Sequence, residues 1–197
     1  MRPPVSLVLI LAVLIITAGV FARRSRRRRT LVIRAPRLGV LNLKGDAAEQ
    51  LIAADVQALQ PVLGNAVRGS ASSPFCDVLF IYCDIGSDGR IANFSGTLRD
   101  LVRTLRAPLV VVASENSGEA YISTLKGQKD ARANLVMALS RKGPAFPTFI
   151  ARLFAEMKRG VSMPVAWMRL APQGPVKEHD DLPSTIFACE AGQMVFA

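Results

Sequence analysis

Two short polar runs hold the side chains of this chain that could do chemistry. Their members are Asp84, Asp88, Ser114, Glu115 and Asn116. The first run follows the apolar segment 78–83, and the second follows the apolar segment 109–113. Carboxylates grouped in this way could hold a hard cation or supply the acid and the base of a reaction. A structural explanation is also open, because turns and helix caps use the same residue types.

The sequence lacks the patterns typical of nucleophilic, zinc or nucleotide chemistry. The only histidine, His179, lies among acids in the segment 178–181, far along the chain from either polar run. The cysteines, Cys76, Cys83 and Cys189, have no zinc-ligand spacing and are odd in number, which favours reduced thiols in a cytosolic domain. No glycine-rich phosphate loop follows the first predicted strand. The sequence therefore predicts neither a metal nor a cofactor.

Membrane attachment is the clearest prediction from the N-terminal residues. Residues 5–22 carry no charge and would span about 27 Å as a helix, close to the hydrocarbon thickness of a bilayer. The basic collar that follows at 23–29 consists of Ser25 with Arg23, Arg24, Arg26, Arg27, Arg28 and Arg29. The positive-inside rule places such a collar in the cytoplasm, where anionic headgroups attract each charge by about 1 kcal/mol. Residues 1–29 are therefore predicted to be a single-pass anchor in the plasma (inner) membrane, with a cytoplasmic C-terminal domain.

Two other interpretations of the N-terminal residues are possible. A cleaved export signal would suit the small residue Ala22, but the remaining chain would begin with the basic collar, which resists translocation. A nucleic-acid-binding arm is disfavoured by the charge distribution. Of the 25 lysines and arginines, seven lie in residues 1–29, which leaves 18 against 15 acids in the rest. This near balance next to a membrane segment favours lipid over nucleic acid as the partner.

Strand-like and helix-like segments alternate from residue 38 to residue 197, after a short linker at 30–37. The predicted strands are 38–43, 78–83, 109–113, 135–139, 185–189 and 193–196, the last two flanking a turn at 191–192. Helices are predicted to start at Asp46 and Ser95, each as an N-cap, at Glu119, at Ala145 and at Ser162. This order predicts one α/β domain, with a mostly parallel sheet and helices on both faces, in a flavodoxin-like or caspase-like three-layer arrangement. Ligands of such sheets bind beyond the carboxyl ends of the strands, where both polar runs lie.

From residue 77 onward, the order of motifs resembles the CHAT domain, a caspase-like peptidase fold. The motifs are Asp84-Ile85-Gly86, Asp88-Gly89-Arg90, the strand 110–113 with Ser114-Glu115-Asn116-Ser117-Gly118, the helix 149–154, Gly160-Val161-Ser162 and Ala166-Trp167. The resemblance also implies that the catalytic pair of the family is missing. Glu115 or its neighbour stands at the cysteine position, and Cys83 or Asp84 stands near the histidine position. Thiolate attack needs a sulfur and an adjacent base, so no peptidase residues carry over.

The leading functional hypothesis is a membrane-anchored interaction or scaffold module without peptidase activity, with a protein partner at the membrane. The alternative is a hydrolase, or a protein that binds a small ligand or a cation, with a carboxylate-rich site at the strand ends. Substitution of Glu115 and Asn116 separates the two hypotheses, because only the second one needs those side chains.

Overall fold

The computed structural model describes residues 30–64, 67–69, 75–125, 133–171 and 181–197. Its strands are β1 (Leu31–Ile33), β2 (Leu38–Asn42), β3 (Val67–Gly69), β4 (Val78–Tyr82), β5 (Leu109–Val112), β6 (Asn134–Ser140), β7 (Ser184–Ala188) and β8 (Met194–Phe196). Its α-helices are α1 (Glu49–Leu63), α2 (Leu98–Thr104), α3 (Gly118–Leu125), α4 (Ala145–Lys158) and α5 (Met163–Leu170), and a short 3-10 helix covers Gly45–Ala48. The prediction of an α/β fold is confirmed.

Within the described residues, the larger sheet has the strand order β3-β2-β4-β5-β6-β7. The strands from β3 to β6 are parallel, whereas β7 closes one side antiparallel to β6. β4 and β5 pair in register from Val78 and Leu109 to Ile81 and Val112, so their carboxyl ends lie side by side. The prediction of a mostly parallel sheet is therefore confirmed, and both polar runs follow neighbouring strands.

Helices cover both faces of this sheet, because successive residues of a strand point to opposite faces. On one face, Phe80 and Val111 belong to a core cluster with residues of α1, α4 and α5. On the other face, Leu79 and Val110 belong to a second cluster with residues of α2 and α3. Every residue of β4 and β5 is buried, as expected for continuous apolar strands that are covered on both sides.

The strands near the two ends of the described chain form a separate parallel ribbon. Leu31 pairs with Met194 and Ile33 pairs with Phe196. Ile33, Met194 and Phe196 are buried in the same cluster as α4 and α5, and the Phe154 and Phe196 rings lie 5.4 Å apart between centroids. Part of the segment 30–37, predicted to be a linker, is thus a strand that packs on the domain. The predicted strands on either side of the 191–192 turn belong to different sheets.

Two predicted helix caps are wrong. Thr97, and not Ser95, is the N-cap of α2: its hydroxyl accepts a hydrogen bond from the Asp100 N–H, and the Asp100 carboxylate accepts one from the Thr97 N–H. Asp46 lies inside the 3-10 helix, which forms no side-chain cap at Lys44. A further difference is β3, which lies in a segment predicted to be a loop. Short strands and caps depend on only a few residues, so their sequence signals are weak.

The predicted membrane anchor falls outside the described residues. So do the basic collar at 23–29 and His179. Within the described part of the chain, no helix has both the length and the apolar character needed to cross a bilayer. Membrane attachment therefore stays a prediction from the sequence.

Candidate functional site at the carboxyl ends of the strands

Ser114 and Asn116 connect the carboxyl ends of β4 and β5. The Ser114 hydroxyl oxygen accepts a hydrogen bond from the Cys83 N–H, with a donor–acceptor distance of 2.9 Å. Asn116 Oδ1 accepts one from the Ile85 N–H at 2.7 Å. These backbone groups lie beyond the last paired residues of the two strands, and buried backbone groups need partners. Both side chains therefore supply hydrogen-bond partners to backbone N–H groups that lie beyond the paired residues of the sheet.

Tyr121 extends this connection to β6. Its hydroxyl donates to the Ala138 carbonyl oxygen at 2.6 Å, and Asn116 Nδ2 donates to the same hydroxyl oxygen at 3.3 Å. The tyrosine comes from α3 and is fully buried. Burial raises the pKa of the Tyr121 phenol above its ordinary value, so this side chain is a neutral hydrogen-bond donor. The polar residues behind the strand ends form a continuous structural network.

The three carboxylates of the predicted site have separate partners. Asp84 Oδ1 lies 2.6 Å from Lys44 Nζ, and Asp88 Oδ1 accepts a hydrogen bond from the Arg90 N–H at 3.0 Å. Glu115 Oε1 accepts one from the Arg141 N–H at 2.6 Å. Among the residues that the structure describes, no three His, Cys, Asp or Glu side chains lie close enough to hold a metal ion. The carboxylates are exposed and spread along the sheet edge.

A buried charged network, which the sequence patterns did not predict, lies directly beneath these residues. Arg141 Nη2 and Asp55 Oδ1 form an ion pair at 2.5 Å, with side chains 5% and 1% exposed. Arg141 Nη1 also donates to the Ala113 carbonyl oxygen, and the Tyr82 hydroxyl donates to Asp55 Oδ2 at 2.7 Å. The guanidinium carbon lies 4.6 Å from the Phe146 ring centroid. Each charged group is thus paired or stacked away from water, as buried ions require.

One sequence signal could have revealed this network. Asp55 is three residues after Ile52 and four before Leu59, so it lies on the apolar face of α1. A charged residue at such a position is rarely buried unless it is paired. The partner is 86 positions away in the sequence, so the pairing itself could not be found by local spacing.

The thiol at the end of β4 is not an available nucleophile. Cys83 is completely buried, and burial raises the pKa of its thiol from 9.0 to about 12. Nucleophilic cysteines have the opposite properties, a lowered pKa and partial exposure. Cys83 is therefore a core residue.

A cavity of about 360 Å³ opens beside the start of α4. Its walls include Lys142, Thr148, Phe149, Arg152, Leu170 and Asp181. Lys142 directly follows Arg141, whose N–H binds Glu115, so the cavity adjoins the strand-end residues. Its volume falls at the small end of the range for ligand pockets, and its walls combine apolar side chains with two cations and one carboxylate.

The chain has no detectable relative in any of the three comparisons with known proteins. Neither a protein-family model, nor a curated protein, nor a solved structure matches it.

Proposed function

We propose that this protein is a membrane-anchored α/β interaction or scaffold module without peptidase activity. The proposal is supported by the hydrogen bonds that the strand-end side chains make within the protein. Ser114 and Asn116 bind the N–H groups of Cys83 and Ile85, just beyond β4, and Glu115 binds the Arg141 N–H. A catalytic group must instead reach a substrate atom with its own hydrogen-bonding capacity. The strand ends are held together by these residues and offer a stable surface to a partner.

The positions of the motifs support a degenerate CHAT-like domain. The residues that correspond to the catalytic histidine and cysteine of the family follow β4 and β5, which are adjacent strands. A catalytic base and a thiolate must lie within hydrogen-bonding distance of each other, and residues that follow adjacent strands can meet in this way. The strand order from β3 to β6 is also that of flavodoxin-like doubly wound sheets. With Glu115 at the cysteine position and a buried Cys83 near the histidine position, the framework of a peptidase site would persist without its chemistry.

The membrane assignment rests on residues 1–29. An uncharged segment of 18 residues, followed at once by the basic collar, meets the length and charge requirements of a single-pass anchor with a cytoplasmic domain. The domain would then face the cytoplasm at the inner membrane, close to anionic lipid headgroups. A tethered domain meets membrane-bound partners at a high effective concentration, which suits a scaffold.

The cavity beside α4 favours a second candidate function, binding of a small ligand next to the strand ends. Lys142 and Arg152 would attract an anion, and Phe149 and Leu170 would contact an apolar part. A hydrolase would use the same cavity together with Glu115. This candidate needs Glu115 or the cavity cations to act on a ligand, whereas the scaffold does not.

A Glu115→Gln variant tests the scaffold proposal. Glutamine keeps an oxygen for the Arg141 N–H but removes the charge, so folding should be preserved. In cells that lack the native gene, we expect the variant to correct the deletion phenotype as well as the unchanged chain does. Deletion of residues 1–29 should abolish that rescue. Asn116 is left intact, because its removal would open the hydrogen bonds between β4 and β5.

Two outcomes would contradict the scaffold proposal. One is loss of rescue by Glu115→Gln at normal protein level. The other is hydrolysis of a fluorogenic peptide library by the purified full chain, reduced by the same substitution. A thermal shift caused by a small anion and removed by Arg152→Gln would support the second candidate, because a ligand that binds the folded state raises its stability.

A further inference from the structure

The described chain begins beside one edge of the large sheet, the amino edge. This edge consists of the segments that lead into β2, β4, β5 and β6, at 34–37, 75–77, 105–108 and 133. The Leu31 N–H donates to the Gln193 carbonyl oxygen at 2.7 Å. The carbonyl of the preceding Gly192 accepts a hydrogen bond from Asn134 Nδ2 at 2.9 Å, and Asn134 is the first residue of β6. The first described residues therefore start beside this edge.

One residue, Thr30, separates the basic collar from β1 in the sequence. Arg29 is one residue before Thr30, and consecutive Cα atoms are about 3.8 Å apart. From Leu31 onward the chain is paired with β8, whose Phe196 is buried. The residue that follows the collar, Thr30, therefore lies beside the amino edge, where its hydroxyl contacts the Gln193 side chain.

The exposed apolar residues near this attachment have the character of an interfacial surface. Leu31 is 40% exposed, Val32 51% and Phe75 69%. The guanidinium carbon of Arg37 lies 4.5 Å from the centroid of the Phe75 ring. Amphipathic surfaces that bind a bilayer combine exposed Phe and Leu with arginine in this way. Phe75 directly precedes the segment that enters β4, so it belongs to the same edge.

Among the residues that the structure describes, charge is distributed unequally between the two edges of the sheet. Exposed basic residues at or near the amino edge are Arg34, Arg37, Arg103, Arg106, Lys158 and Arg159. Acidic residues there are Asp77, Glu156 and Glu190, and two of them form ion pairs with arginine. At the opposite, carboxyl edge the exposed acids include Asp46, Glu49, Asp84, Asp88, Glu115 and Glu119. The cations there include Lys44, Arg90 and Lys142.

We infer that the amino edge is a lipid-facing surface, which holds the domain in one orientation on an anionic bilayer with the acidic carboxyl edge turned away from the membrane. The inference rests on the proposed function, since it takes residues 1–29 to be the anchor. Leu31, Val32 and Phe75 contact the headgroup region, and the arginines near them pair with lipid phosphates. Anionic lipid repels the acids at the carboxyl edge, which excludes the inverted orientation.

This orientation determines which edge of the sheet faces the lipid and which edge faces a partner. The strands separate the two edges by about 16 Å, from five residues at about 3.3 Å each. The exposed Glu115 and the partly exposed Asn116 are thus held away from the lipid and accessible to a cytoplasmic partner. An opposite orientation would press them against the headgroups.

Site-specific fluorophores on the full chain test this inference. The chain is reconstituted in vesicles of equal parts phosphatidylcholine and phosphatidylglycerol, after Cys189→Ser removes the exposed thiol. Labels are placed at Val32→Cys, at Phe75→Cys and, as the control at the carboxyl edge, at Ser117→Cys. We expect lipids with a quencher near the headgroup to quench the first two labels severalfold more than the third. The buried Cys76 and Cys83 should not be labelled.

Charge variants identify lipid as the occupant. Arg34→Glu should reduce quenching at Val32→Cys and Phe75→Cys, as should vesicles of phosphatidylcholine alone. Lys142→Glu, a matched change at the carboxyl edge, should leave the quenching unchanged.

The inference is overturned if the chain floats with the vesicles but the Val32 and Phe75 labels are unquenched, or if the Ser117 label is quenched equally. Shielding of the labels by an added protein, and not by lipid, would also overturn it. Failure of the full chain to float with vesicles would instead refute the anchor itself, and with it the proposed function.

Discussion

At the scale of single residues, the Asp55–Arg141 pair links three parts of the sheet edge. Asp55 comes from α1, Arg141 follows β6, and the guanidinium reaches the carbonyl of Ala113 at the end of β5. Arg141 also donates its backbone N–H to Glu115. A planar guanidinium can bind the Ala113 carbonyl and the Asp55 carboxylate at the same time, which a lysine ammonium could not. The buried pair therefore sets the geometry on which the strand-end surface is built.

Removal of one partner of this pair should be strongly destabilising. Arg141→Met leaves the Asp55 carboxylate buried without a counter-ion, for which we expect a loss of about 3–5 kcal/mol in the free energy of unfolding. The double variant Asp55→Leu/Arg141→Met should lose less than the sum of the two single variants, because no unpaired charge remains. Urea unfolding, followed by the fluorescence of the single tryptophan, Trp167, measures all three. Additive losses would show that the two side chains are energetically independent.

At the scale of elements, α2 shows how a local motif can be recognised in the wrong place. Ser95 and Thr97 are both good N-cap residues. Only Thr97 has an acid three residues later, Asp100, and together they complete the capping box. Hydrogen bonds from the Thr97 side chain and then from its backbone lower the pKa of Asp100 below 3.8. The reciprocal bonds place the start of α2 at this residue.

Thr97→Ala and Ser95→Ala form a matched pair of variants that tests this cap. The first should destabilise the protein by about 1 kcal/mol, whereas the second should change its stability by less than about 0.5 kcal/mol. The folded-state pKa of Asp100 is lowered, so its contribution is present above pH 3.8 and is lost as the pH falls through the folded-state pKa. The difference between Thr97→Ala and the unchanged chain should therefore shrink in acid. Equal losses in the two variants at neutral pH would refute the assignment.

At the scale of the whole molecule, the ribbon of β1 and β8 connects the two ends of the described chain. Phe196 is 2% exposed and contacts Phe154 of α4. Its neighbour Val195 is only partly buried. The ribbon fixes residues 31–33 to the domain.

Phe196→Ala should detach the ribbon, and Val195→Ala is its control. Truncation of a buried phenylalanine costs about 3–5 kcal/mol, while the loss at Val195 should be much smaller. Amide hydrogen exchange at residues 31–33 should become faster in Phe196→Ala, because these residues pair with β8. Unchanged exchange at 31–33 would mean that β1 is held by contacts other than the ribbon.

The sequence alone determined the type and order of most elements. Local periodicity over a few residues predicts the apolar strands β4 and β5 and the apolar stripe of α4. Such patterns can be recognised without knowledge of the fold. The same patterns predicted that Ser114, Glu115 and Asn116 lie at a sheet edge. The chemistry of residues 1–29 is likewise a local property of the sequence.

Only the tertiary structure decided which distant groups meet. It pairs Asp55 with Arg141, gives the three carboxylates separate partners, joins β1 to β8, and collects basic residues at one edge and acidic residues at the other. These outcomes depend on contacts between residues far apart in the chain, made only when the helices and the sheet pack together. Local spacing carries no record of such contacts, because they are selected by burial and charge pairing in the whole domain.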